Sequence, residues 1–134
     1  MLVRFSRFLM PAGMGLAALL VGAATLPPVI AQSGGLWEVS RSASGSRAVK
    51  VCVPRAAEFA QWEHRRIRCA RDVISSSETH AVINYTCPSG DFGRSQVRVI
   101  TPRTLRIETQ GISQGFPFNY VLHARRIGDC PGLR

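Results

Sequence analysis

Apolar and polar residues alternate with a period of two along most of the chain beyond Gly34, the pattern of strands with one buried face. In GLWEVS, Trp37 and Val39 alternate with Glu38 and Ser40, and in RAVKVCV the residues Val49, Val51 and Val53 share a face. The turn-rich stretch from Ser42 to Ser46 between these runs predicts a hairpin. Alternation returns in RIRCARDVIS and HAVINYTC, at Val97 and Val99, at Leu105 and Ile107, and through Phe116, Phe118, Tyr120 and Leu122. Breaks fall at Pro88-Ser89-Gly90, at Thr101-Pro102-Arg103 and from Gly111 to Gly115, all rich in turn formers. The one departure is AAEFAQWEHRR after Pro54, where strand formers are few and Phe59 and Trp62 lie three apart; it predicts a short helix. The expected fold is mainly β, an antiparallel meander of about seven strands, strongly curved or barrel-like, with one short helix after the second strand. Trp37 and Trp62 are expected in the core, joining helix to sheet.

The N-terminal part follows another rule. The run from Leu9 to Ile30 carries no charge, follows Arg4 and Arg7, and ends in Val29-Ile30-Ala31 before Gln32. That is the layout of an export signal over residues 1–31, cleaved after Ala31, followed by one disulfide-bonded domain over residues 32–134. An uncleaved anchor is the competing reading, because the run reaches the roughly 20 apolar residues a membrane helix needs. Pro11, Pro27 and Pro28 argue against a continuous helix there. Export places the domain in a bacterial periplasm or outside the cell.

All four cysteines, Cys52, Cys69, Cys87 and Cys130, lie beyond this signal, and an even number in a short exported chain implies a disulfide framework. There is no C-x-x-C and no histidine at ligand spacing from a cysteine, so neither a metal site nor a redox dithiol is indicated. If the turn after Ile74 is centred near Glu78, Cys69 and Cys87 face each other on neighbouring antiparallel strands at a separation suited to a bridge. Cys52 is then left for Cys130. The competing set joins Cys52 to Cys69 across the helix and Cys87 to Cys130, whose strands a meander of this order places at opposite edges.

Charge adds a candidate site. The formal net charge is +9, of which Arg4 and Arg7 supply two, and every basic residue but Lys50 is arginine. Such a field favours anionic partners in a salt-dependent way, although arginine-rich composition alone produces the same number. Strand parity is more specific: opposite Val97, Leu105 and Tyr120, the other sheet face should present Arg98, Arg106, His123 and Arg125, with Glu108 the one acid. This stripe is the candidate site for phosphate or carboxylate groups of envelope lipids or glycans, since guanidinium grips both with two prongs. A solvated sheet face is the alternative.

Three short motifs, GLWEVS after the signal, Cys-Val-Pro at Cys52 to Pro54 and HARRIGDC from His123 to Cys130, stand out together with Cys69 and Cys87. The chain resembles the bacterial exported domain-of-unknown-function family 3617, small periplasmic proteins that open on GLWE. The resemblance covers Gly35 to Cys130, and its most specific elements are GLWE and R-x-G-D-C, here Arg126 to Cys130. It implies a periplasmic, disulfide-bonded protein and no established activity.

Catalytic templates are not met. His64, His80 and His123 are scattered, and neither Glu63, Glu78 nor Asp129 stands at a spacing that sets a histidine between a nucleophile and a carboxylate. Ser75-Ser76-Ser77 fits a turn, Gly90-Asp91-Phe92-Gly93 a hairpin connection, and Glu58 and Glu63 fall on different helix faces. The expectation is a binding or accessory module without catalytic residues, metal or cofactor. The alternatives are an inhibitor of an exported hydrolase, acting through the loops Pro88 to Gly93 or Gly111 to Gly115, and a carrier of a small apolar ligand lined by Phe116, Phe118 and Tyr120. Nucleic acid is a poor fit, because export separates the chain from it and no aromatics cluster beside the basic residues.

Overall fold

The computed structural model describes residues 13, 15 and 25–132. Arg4, Arg7 and most of the proposed signal lie outside the described residues. Seven strands form one sheet: β1 (Gly35–Ser40), β2 (Val49–Val53), β3 (Ala70–Ser76), β4 (His80–Thr86), β5 (Phe92–Thr101), β6 (Thr104–Ser113) and β7 (Phe116–Gly128). The spatial order is β2-β1-β7-β6-β5-β4-β3, and every neighbouring pair is antiparallel. From β3 to β7 each strand pairs with its sequence neighbour, so the meander holds there, and the N-terminal hairpin then docks on the far side of β7.

The expected barrel is not formed; the sheet stays open. Closure would require β2 and β3 to meet, yet both remain edges, because another element covers the apolar face. Helix α1 (Pro28–Gln32) and a 3₁₀ helix (Ala56–His64) lie against it, contacting β5 and β6. Arg55, immediately before the 3₁₀ helix, is extended. Gln61 breaks the helical geometry, and its Nε2 donates to the carbonyls of His64 at 2.7 Å and Ile67 at 2.6 Å, ending the element. With a roof in place, the sheet's apolar side chains are buried without curling the sheet on itself.

The core between roof and sheet contains Ile30, Trp37, Val39, Phe59, Ile83, Val97, Leu105, Ile107 and Leu122. Trp37 is fully buried and meets Phe59 edge-on at 5.3 Å. Trp62 is only half-buried; it leans on Phe59 while the Arg65 guanidinium covers its ring. Two buried hydroxyls also cross this layer: Ser95 donates its one proton to the Ala60 carbonyl and accepts from the Thr109 hydroxyl 2.8 Å away, tying β5 and β6 to the roof.

Cys69 is bonded to Cys87 and Cys52 to Cys130, with Cα separations of 4.2 and 5.6 Å. The first follows from register, since Ala70 pairs with Thr86 and the next step outward is Cys69 opposite Cys87. Each bridge fastens an edge of the sheet, β3 to its neighbour in one case and β2 to the segment after β7 in the other.

The GLWE and R-x-G-D-C motifs converge in one corner. Gly35 has φ +138°, and a Cβ there would meet the Gly128 carbonyl at 2.6 Å and the Arg126 guanidinium at 2.7 Å. Arg126 donates to the Gly34 carbonyl at 2.9 Å and to Asp129 at 2.7 Å, next to the Cys52–Cys130 bridge. These residues clasp the N-terminal strand to the end of β7.

Candidate functional site

The face of the sheet turned away from the roof carries Arg98, Arg106, His123 and Arg125. On it, register lines up side chains in rows that cross the strands. One row runs His80 (β4), Arg98 (β5), Arg106 (β6), His123 (β7) and Ser40 (β1). Arg98, Arg106 and His123 are therefore brought together as direct cross-strand neighbours. Arg125 is not in their row. It lies two residues further along β7, opposite Thr104 and Glu38, and donates to Glu38 at 2.8 Å. Arg106 likewise holds Glu108 at 2.7 Å.

Two further rows continue the face. Val82, Gln96, Glu108 and Val121 form the next, and Asn84, Arg94, Gln110 and Asn119 the one beyond. Arg94 and Arg98 pair with no acid among the described residues. A groove of about 650 Å³ opens here, lined by Asn84, Arg94, Gln110 and Asn119 and ending on Phe92, Ile112 and Pro117. The Oδ1 of Asn84 is buried without a hydrogen-bond partner among the described residues. Beneath the groove Gly93 and Gly111 are adjacent in register, and the Tyr85 and Phe118 rings occupy the space their missing side chains leave on the roof side.

Neither Arg94 nor the amide row was expected from the sequence. The signal was present in parity, since Arg94 is in phase with Arg98, but the small inner residues Gly93 and Ser95 hide the alternation at the start of β5.

The histidines are also less scattered than the sequence suggests. His64, at the end of the 3₁₀ helix, is buried between Tyr85 and Asp91, with Nε2 3.1 Å from Asp91 Oδ2 and Nδ1 2.9 Å from the Tyr85 hydroxyl. Nε2–H donates to the Asp91 carboxylate, which in the neutral ring leaves Nδ1 to accept from the Tyr85 hydroxyl. Asp91 Oδ1 accepts from the Gln114 backbone at 3.1 Å, so one carboxylate fastens the roof and two hairpin turns. Gly90-Asp91 is the β4–β5 connection, as expected of a hairpin. Nearby, Tyr120 donates to Glu63 at 2.7 Å and lies under the Arg41 guanidinium. Phe118 and Tyr120 are thus engaged with His64 and Glu63, while Phe116 is 74% exposed; the three do not line a common cavity.

Burial pushes the Tyr85 phenol far above its ordinary value of 10.0, helped by the charges of Glu63 and Asp91. Tyr120 moves the same way through burial, its hydrogen bond to Glu63 and that residue's charge, against an opposing pull from Arg41. These are the only two tyrosines of the chain. The native protein is therefore expected to show no tyrosinate absorbance at pH 10, where a free phenol is half ionised. The unfolded chain loses those protons first, so the stability they contribute is complete below pH 10 and drains away as pH rises toward the native values. Ultraviolet difference titration checks this, and a half-developed signal at pH 10 in folded protein contradicts it.

Among the described residues no cluster of three or more histidines, cysteines or acids is placed to hold a metal ion, and no helix is long and apolar enough to cross a membrane. Comparison with known proteins returns no match: no family model fits the chain, and no curated protein and no solved structure is significantly similar to it.

Proposed function

We propose that the chain is an exported, non-catalytic binding module whose open sheet face takes an acidic glycan of the cell envelope. One observation carries the reading. Arg98 stands directly opposite Arg106, flanked by His80 and His123; Arg106 reaches Glu108 in the next row, while Arg98 has no acid partner among the described residues. Like charges placed directly opposite one another destabilise a sheet, and an anion laid across them removes the repulsion. The adjoining Asn84, Gln110 and Asn119 suit sugar hydroxyls, and the Phe92 ring beside them suits the apolar face of a pyranose. The two disulfides fit an oxidising compartment, and the resemblance to exported GLWE-type proteins points the same way.

The test is calorimetric titration with a short polygalacturonate at low and moderate salt, against a neutral oligosaccharide of equal length. Wild-type protein is expected to bind only the acidic oligomer, more weakly as salt rises. The triple variant Arg94→Gln, Arg98→Gln, Arg106→Gln removes charge-assisted hydrogen bonds of about 1.5–3 kcal/mol each and is expected to bind at least about a hundredfold more weakly. Unchanged affinity in the variant, or equal binding of the neutral oligomer, sinks the proposal. Binding of anionic vesicles without the oligomer would replace glycan by lipid headgroup.

A further inference from the structure

The polypeptide begins to contribute to the core before β1. Ile30 is fully buried and Pro27 is buried beside it, while Leu26 and Val29 pack against the same cluster as Trp37 and Phe59. Helix α1 touches both the 3₁₀ helix and β5. Further upstream, the Ser76 hydroxyl on β3 donates to the Thr25 carbonyl. This segment is a working part of the roof. A cut after Ala31 would strip Ile30 from the core and leave the apolar side chains it covers facing water.

Export signals are cut after small residues at the last and third-last positions. Val29-Ile30-Ala31 meets that rule, and so does Gly22-Ala23-Ala24, which directly precedes Thr25. These two sites differ in what they discard. The later one removes a buried side chain; the earlier one leaves every residue from Thr25 onward in place.

We propose that the signal is removed at the Ala24–Thr25 bond, and that residues 25–34 form the N-terminal arm of the mature domain. Water adds across this amide in the active site of a membrane-bound signal peptidase, leaving a carboxylate on Ala24 and a new ammonium group on Thr25. The inference rests on the exported reading above and replaces only the position of the cut.

The test is expression of the full chain in a Gram-negative host, followed by N-terminal sequencing and intact mass of the protein released from the periplasm. The expected mature form begins at Thr25. Two variants sharpen it: Ala24→Leu is expected to accumulate as unprocessed precursor, and Ala31→Leu to be processed like the wild type. A mature chain beginning at Gln32, or an Ala31→Leu variant that fails to mature, overturns the proposal and leaves export standing. A full-length chain retained in the cytoplasm with alkylatable thiols overturns both.

Discussion

A chain with alanine at Cys52, Cys69, Cys87 and Cys130 is expected to lose most of its folded population at physiological temperature. Closing loops of 78 and 18 residues is worth about 4.5 and about 3.2 kcal/mol in the chain-entropy description. A domain of this size has a total stability of about 5–15 kcal/mol, so the two bridges together account for much of it. The paired variants should rank in order of loop length, with loss of Cys52 and Cys130 the more damaging. Denaturant melts of the oxidised protein, the two paired variants and the quadruple variant measure this directly. Reduced protein with an unaltered midpoint would show that the core suffices without the bridges.

Trp37→Ala is the second large effect. The indole is fully buried against Phe59, at the junction of β1 and the roof, and replacement of a buried tryptophan by alanine costs about 3–5 kcal/mol. Trp37→Phe should cost far less than its lost volume suggests. The indole Nε1 has no hydrogen-bond partner among the described residues, and an unpaired buried donor carries a penalty of about 1–3 kcal/mol that phenylalanine removes. The pair of variants thus separates packing from polarity. Equal losses in both would show that the ring's shape dominates, and near-native stability of Trp37→Ala would refute its place in the core.

Much of the architecture is legible in the sequence because one sheet face is roofed and the other is wet, so parity survives in nearly every strand. The Cys69–Cys87 pairing is legible from a turn near Glu78, but the register beside the turn, Ser76 with Ala81, is half a residue off that centre, and a bulge between Val73 and Ser75 restores the alignment that sets Ala70 opposite Thr86. Closure is another matter. Alternation records which side of a strand is buried and says nothing about what buries it, so an open sheet under a helical roof and a barrel present the same pattern. Part of that roof is hidden as well, because Leu26, Val29 and Ile30 close an uncharged, mostly apolar run that carries no period of its own.

The polar contacts were harder to foresee. His64 meets Tyr85 and Asp91 across separations of 21 and 27 residues, and only the roof's placement over β4 brings them together. No local spacing encodes that contact. Arg98, Arg106 and His123 are legible because three regular strands put them in phase, whereas Arg125, on the same face but two residues further along β7, falls in the next row. Arg94 is hidden because the inward positions on either side of it are the small residues Gly93 and Ser95, so the apolar alternation becomes visible only at Val97.

The two bridges fasten the two edges, and this has a consequence for what happens when they are absent. β3 is exposed along almost its whole length and owes its place largely to pairing with β4 and to the Cys69–Cys87 link. Should β3 peel away, the row of backbone donors and acceptors it covered on β4 becomes available, on a strand carrying Ala81, Val82, Ile83 and Tyr85. Such a rim is a template for another copy of the same chain. In a thiol-rich environment the molecule would therefore be drawn toward intermolecular strand addition and ordered aggregates, so that oxidation guards its solitude as much as its stability.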